Sequence, residues 1–138
     1  MNKEEIRTII PHREPMLLVD AVELVEENKA LGKYTIKKDE WFLKGHFPNN
    51  PVVPGVILCE IMAQSCSLLL VDKIKGKTPY FTGLNNVKFR KKVLPGDVLE
   101  IECKLIKEKE PFYFACGNTY VNGKLVVSGE FSFALMDN

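Results

Sequence analysis

The sequence predicts an α+β domain in which one antiparallel β-sheet is wrapped around one long central α-helix. Two observations lead to this prediction. Residues 54–73 are apolar on nearly every side of a predicted helix, and a helix without a polar face is normally enclosed by other structure. The second half of the chain alternates apolar with polar residues, which is typical of antiparallel strands with one buried and one solvated face.

The first half of the chain contains short elements between turns. Residues 3–10 are predicted as a short helix that ends before Pro11, because proline disfavours helical conformation in the residue before it. Residues 16–25 and 30–37 are predicted as strands, since they are rich in leucine and valine or alternate in polarity. Over residues 41–54, prolines and glycines interrupt every regular pattern, so we expect a stiff loop that holds its side chains in defined places.

The later elements follow from turn residues and alternation. Pro54 suits the first position of the long helix. Strands are predicted at 99–105 and 125–135, a two-residue hairpin turn at Asn122-Gly123, and a further turn at Pro95-Gly96-Asp97. One sheet with one long apolar helix describes a hot-dog fold, although the pattern alone permits other α+β arrangements.

Length and composition restrict the class of protein. The chain has 138 residues, of which 46% are hydrophobic and 27% charged, so we expect one folded domain over residues 1–138. The formal net charge of +1 indicates no general affinity for nucleic acid or membranes. The N-terminus carries no apolar leader and no apolar stretch is long enough to span a membrane, so a cytoplasmic protein is expected.

The cysteines are interpreted as small core residues of a protein in a reducing compartment. They show no CxxC spacing and lie within apolar patterns, at Cys59, Cys66, Cys103 and Cys116. The two histidines, His12 and His46, lack metal-ligand spacing to any cysteine, so no metal site is expected.

Two ionisable residues are candidates for chemistry. His46 lies in the proline-rich loop, where a neutral imidazole could act as a base near physiological pH. Glu60 lies in the second turn of the apolar helix, where a carboxylate is costly unless it is paired or protonated. Gln64 lies on the same helical face and could bond Glu60 or a substrate. Taken alone, a histidine such as His46 is more often structural than catalytic, and Glu60 could be a satisfied buried carboxyl group bonded to a neighbouring loop.

Gly55 supplies a third candidate group. The first N–H groups of a helix have no internal partner, and glycine lets a ligand approach them closely, so this N–H could stabilise an enolate or oxyanion. Close packing alone would also explain a glycine there. A base, an acid and an oxyanion donor together suit elimination of water β to a carbonyl group.

These residues resemble the signature of the β-hydroxyacyl-acyl-carrier-protein dehydratases of the FabZ type. The resemblance is carried by Gly45-His46-Phe47-Pro48, Pro51, Pro54-Gly55-Val56, Glu60 and Met62-Ala63-Gln64. It extends over nearly the whole chain, through Ile10-Pro11-His12-Arg13, Leu17-Leu18-Val19-Asp20 and Phe81-Thr82-Gly83-Leu84 to Phe89-Arg90.

The resemblance implies a hot-dog fold and a type II fatty-acid synthesis enzyme that converts (3R)-3-hydroxyacyl thioesters to trans-2-enoyl thioesters. It implies His46 and Glu60 as the catalytic pair, meeting across a homodimer interface, with three dimers commonly forming a hexamer. Substrate contacts are expected at Gly55, Val56, Gln64 and Phe47. The resemblance implies no metal or redox cofactor. It implies that the substrate is carried on the phosphopantetheine of an acyl carrier protein. His12 is interpreted as structural.

A basic stripe in the sequence fits an acyl carrier protein, which is acidic. Val87 and Phe89 are predicted to point to one side of a strand, and the basic residues Lys88, Arg90, Lys91 and Lys92 would bind the carrier. A solvated strand edge that resists aggregation would explain the stripe equally well. Two other functions are considered: a thioesterase, which would release free thiol, and a non-catalytic sensor, which would bind acyl thioesters without turnover.

Overall fold

The structure, a computed structural model, describes residues 1–138. It contains two α-helices, α1 over Lys3–Arg7 and α2 over Gly55–Ser67. The six strands are β1 Ala21–Glu26, β2 Lys29–Thr35, β3 Lys77–Phe89, β4 Val98–Lys109, β5 Phe112–Val121 and β6 Lys124–Asp137. Short 3₁₀ helices lie at Trp41–Leu43 and Leu68–Leu70.

All six strands belong to one antiparallel sheet in the order β1-β2-β4-β5-β6-β3. The sheet packs around α2, which contacts β2, β4 and β5 most closely. The alternation predicted for residues 99–105 is confirmed, since Leu99, Ile101 and Cys103 are buried and the residues between them face outward. This arrangement confirms the predicted α+β hot-dog fold.

The central helix is shorter than the predicted 54–73. Pro54 precedes it as the N-cap residue, Gly55 is its first helical residue, and the chain continues beyond Ser67 as the 3₁₀ helix. The prediction failed at the far end because Leu68 and Leu70 are buried like the helix itself, and apolar periodicity cannot separate an α-helical turn from a 3₁₀ turn.

The predicted strand over 16–25 is wrong in its first half, because β1 begins only at Ala21. Leu17, Leu18 and Val19 before it are buried, but no strand pairs with them. Instead, the Leu18 N–H donates to Gln64 Oε1 at 2.8 Å, and the Met16 carbonyl accepts from Gln64 Nε2 at 2.7 Å. A side chain therefore satisfies the backbone groups that a neighbouring strand would otherwise satisfy.

The predicted ends of two other elements also shift. Helix α1 ends at Arg7 instead of Ile10, because the Arg13 guanidinium donates hydrogen bonds to the carbonyls of both residues and fixes a non-helical turn. Strand β2 ends at Thr35, two residues before the predicted end at Lys37.

Both predicted turns are confirmed. Asn122 and Gly123 have φ of 50° and 76°, as a type I′ hairpin between β5 and β6 requires. Gly96 has φ of 93°, and the Asp97 N–H donates to the Leu94 carbonyl at 3.1 Å.

One edge of the sheet is long and open. Strand β3 pairs only with β6, and none of its 13 residues is fully buried. Large apolar side chains are exposed along it, at Tyr80, Phe81, Leu84 and Phe89. An open edge of this length with apolar side chains is normally covered by another chain.

No helix of the structure is both long and apolar enough to cross a membrane. The prediction that the cysteines are core residues is confirmed for Cys59, Cys66 and Cys103, which are buried, whereas Cys116 is half-buried. All four are free thiols.

Candidate active site

The His46 side chain is held by its own loop. Its Nδ1 lies 2.8 Å from the Val52 carbonyl oxygen, and its ring stacks on Phe47 with the ring centroids 4.2 Å apart. The loop is closed by two backbone bonds, from the His46 N–H to the Leu43 carbonyl and from the Val52 N–H to the His46 carbonyl. These contacts fix the direction in which the imidazole points.

The bond to Val52 also determines the tautomer of the imidazole. A carbonyl oxygen only accepts hydrogen bonds, so Nδ1 must carry the proton and donate it. In the neutral ring, Nε2 is then left with a free lone pair. His46 is therefore prepared to accept a proton at Nε2.

His46 opens into a cleft of ≈ 600 Å³ that also contains the start of α2. The N–H groups of Gly55 and Val56 have no acceptor within the chain, as expected for the first turn of a helix. The Val56 side chain is 76% exposed, and Phe47 is also exposed. The predicted base thus shares one cleft with two free N–H donors and an open apolar surface.

The basic residues lie on the wall of this same cleft. Arg90, Lys91 and Lys92 line it together with Phe89, and all three are exposed, as is Lys88. The predicted alternation ends at Phe89, where β3 stops, and the Arg90 and Lys91 N–H groups both bond to the Val126 carbonyl. Positive charge therefore lies at the mouth of the His46 cleft instead of along one face of a strand.

Glu60 is held by a side chain one turn further along α2. Gln64 Nε2 donates to Glu60 Oε2 at 2.8 Å, which fixes one oxygen of the carboxyl group. Of the two contacts predicted for Gln64, the structure shows the one with Glu60. The other, with a substrate, stays a prediction; Gln64 is 1% exposed, and its amide bonds Leu18, Met16 and Glu60.

His12, interpreted as structural from the sequence, makes an unexpected contact with Glu60. Its Nε2 lies 3.7 Å from Glu60 Oε2, and its Nδ1 is buried without a hydrogen-bond partner. Burial lowers the pKa of His12, the Glu60 carboxylate opposes this shift, and Arg13 adds to it. The sequence separates His12 from Glu60 by 48 residues, and only the packing of the N-terminal segment on α2 brings them together.

His46 and Glu60 do not face the same space within one chain. The pocket beside Glu60 is small, about 20 Å³, and none of its lining residues belongs to the His46 cleft. It is closed by β3 and β6 through Pro79, Phe81 and Phe133. The two predicted catalytic residues therefore lie at opposite ends of β3, with the His46 cleft at Phe89 and the Glu60 pocket at Phe81.

No group of three or more histidine, cysteine, aspartate and glutamate side chains is placed to hold a metal ion.

The fold defines a class of protein, the hot-dog proteins. Among solved structures, the dehydratase heterocomplex ApeI:P from Xenorhabdus doucetiae matches with a TM-score of 0.83 at 22% identity, covering 96% of this chain and 91% of that chain. A hypothetical thioesterase with coenzyme A from Streptococcus pneumoniae matches with a TM-score of 0.65 at 13% identity, covering 86% of each chain. At these identities the matches show the fold alone.

Sequence comparison gives the particular family. A family model described as a FabA-like domain matches residues 10–130. The 3-hydroxyacyl-[acyl-carrier-protein] dehydratase FabZ of Clostridium perfringens is 44% identical over 98% of this chain and 99% of its own length. That of Caldicellulosiruptor bescii is 47% identical over 97% and 98%. The chain belongs to the FabA-like family, among the FabZ-type dehydratases, and is a hydro-lyase.

Proposed function

We propose that this chain removes water from (3R)-3-hydroxyacyl thioesters carried on an acyl carrier protein, giving trans-2-enoyl thioesters in type II fatty-acid synthesis. The observation that carries the proposed mechanism is the bond from His46 Nδ1 to the Val52 carbonyl, which leaves Nε2 free as a base. The names of the FabZ relatives support the reaction and the carrier.

The proposed reaction uses three groups. His46 Nε2 takes a proton from the carbon α to the thioester carbonyl, and the free N–H groups of Gly55 and Val56 stabilise the negative oxygen that develops. Glu60 gives its proton to the β-hydroxyl group, which leaves as water while the double bond forms. A proton passing from the imidazolium to the Glu60 carboxylate then restores the starting state.

We further propose that each site is shared by two copies of the chain. His46 and Glu60 face separate pockets at opposite ends of an open edge strand. Antiparallel pairing of two β3 strands about a twofold axis near Asn85 would place the Phe89 end of one copy opposite the Phe81 end of the other. This pairing would bring His46 of one copy to Glu60 of its partner and cover the exposed apolar edge. Three such dimers would complete the expected hexamer.

The carrier is proposed to dock at the mouth of the His46 cleft. Acyl carrier proteins are acidic, and Arg90, Lys91 and Lys92 on the cleft wall place positive charge where the phosphopantetheine arm would enter, with exposed Lys88 two residues before them. We propose a cytoplasmic location, which the four free cysteine thiols support, since disulfides are rare in that compartment.

Two variants test this function. His46→Ala and Glu60→Gln should each lower formation of the conjugated enoyl thioester by at least about a thousandfold, because each removes one of the proton-transferring groups. The product is followed by its ultraviolet absorbance, and a thiol-trapping reagent is run in parallel. Free thiol released by the unmodified chain at a rate comparable with enoyl formation would indicate a thioesterase. Near-normal dehydration by both variants would end the assignment.

A further inference from the structure

We infer that His12 is a positioning residue for Glu60, toward which it directs a neutral N–H at Nε2. The inference rests on the proposed role of Glu60 as the acid. It starts from geometry: His12 Nε2 is 3.7 Å from Glu60 Oε2, the oxygen that Gln64 already holds at 2.8 Å. The carboxyl group thus lies between two nitrogen atoms from different parts of the chain.

The buried Nδ1 of His12 decides which form of the imidazole is present. A protonated ring would need an acceptor for each of its two N–H groups, and Nδ1 has none. An unpaired buried donor is costly, so the form with a proton at Nδ1 is disfavoured in both the cationic and the neutral ring. The proton of the neutral ring therefore lies at Nε2, directed at Glu60.

The charges around His12 agree with this form. From α2, the charged group that faces it is Glu60, and from its own segment it is Arg13, whose guanidinium bonds to the His12 carbonyl at 2.7 Å. Strands β3 and β6 contribute Pro79, Phe81 and Phe133, which carry no charge. Burial is the largest cause of the lowered pKa of His12, so the ring remains neutral at physiological pH.

A neutral donor suits an acid that must give up and regain a proton. A cation at this position would bind the Glu60 carboxylate so strongly that reprotonation would be disfavoured. The N–H of a neutral imidazole instead orients the carboxyl group and only moderately favours its charged form. With Gln64 alone, the carboxyl group would keep one contact and could rotate away from the substrate.

Substitution of His12 by glutamine and by leucine tests the inference. Glutamine places an amide N–H near the position of Nε2, so His12→Gln should keep kcat within about threefold of the unmodified chain. His12→Leu fills similar space without a donor and should lower kcat at least about tenfold with KM unchanged. It should also shift the alkaline limb of the pH–kcat profile to higher pH, because the Glu60 carboxylate loses a stabilising donor.

Thermal unfolding and oligomeric state are measured for each variant, so that loss of fold is not mistaken for loss of positioning. If His12→Leu does not fold, His12→Asn replaces it, because its shorter side chain places the amide too far from Glu60. An unchanged kcat and pH profile in the leucine or asparagine variant would overturn the inference, as would an equal loss in the glutamine variant. Failure of the proposed function gives a different result, namely no dehydration by the unmodified chain or full activity of Glu60→Gln.

Discussion

The ring of Phe89 lies directly against the backbone of Gly55, so that a Cβ atom built on Gly55 would be 2.9 Å from two atoms of the ring. Phe89 ends β3 and Gly55 begins α2, and this contact therefore joins the open edge of the sheet to the free N–H groups of the helix. The glycine is needed for this close approach, since any side chain would displace the ring from the wall of the His46 cleft.

Gly55→Ala should lower kcat/KM while it leaves the free energy of unfolding nearly unchanged. The Phe89 ring is half exposed and can move, and alanine is favoured over glycine in a helix by up to about 1 kcal/mol, so the free energy of unfolding should change by less than that amount. Displacement of the ring next to the oxyanion donors should lower kcat/KM by about tenfold or more. Enoyl formation and urea denaturation measure the two effects. Unchanged kcat/KM would show that the contact is only a packing feature.

Gln64→Leu should destabilise the fold. The substitution leaves the buried Leu18 N–H and the partly buried Met16 carbonyl without their partner, and no strand pairs with either residue. Loss of one buried and one partly buried hydrogen bond should cost about 1–3 kcal/mol of the free energy of unfolding, measured by chemical denaturation. A loss below about 1 kcal/mol would indicate that the segment finds other partners.

Mixing two inactive variants tests whether the site is shared. If His46 of one copy works with Glu60 of the other, a dimer of one His46→Ala chain and one Glu60→Gln chain keeps one intact site. Random exchange in an equal mixture should then restore about one quarter of the unmodified activity. The variants are refolded together and assayed for enoyl formation.

The matched control mixes the His46→Ala chain with a chain that carries both substitutions. No dimer in that mixture contains an intact shared site, so activity should not return. If the pair worked within a single chain, the first mixture would remain as inactive as the control.

Charge reversal at the cleft mouth tests the carrier surface. Arg90→Glu with Lys91→Glu should raise KM for a substrate on acyl carrier protein by about tenfold at low salt, and the difference should shrink as salt screens the charges. KM for an uncharged N-acetylcysteamine thioester should not change. Lys33→Glu with Lys104→Glu changes the net charge equally on β2 and β4, and should leave both values unchanged. An equal effect of both pairs would reject a local docking site.

Glu60 can be identified as a candidate residue from the sequence, but only part of its surroundings can. A carboxyl group in a helix that is apolar on all sides stands out by residue type and position, and Gln64 follows from helical periodicity as its neighbour. His12 could not be found in this way, because its contact with Glu60 depends on how a non-helical segment crosses α2. The adjoining residues 16–20 are predicted as part of a strand, since their apolar side chains give no sign that a glutamine side chain would satisfy the backbone.

The sequence by itself determined the fold class, the hairpin at Asn122-Gly123, the stiff loop of His46 and the family. These depend on local patterns, such as the need for positive φ or the burial of an apolar helix, which residue types express directly. Only the tertiary structure decided the contact of His12 with Glu60 and the position of the basic residues at the His46 cleft. Each of these depends on distances between segments far apart in the chain, which packing of the whole core determines and no local pattern records.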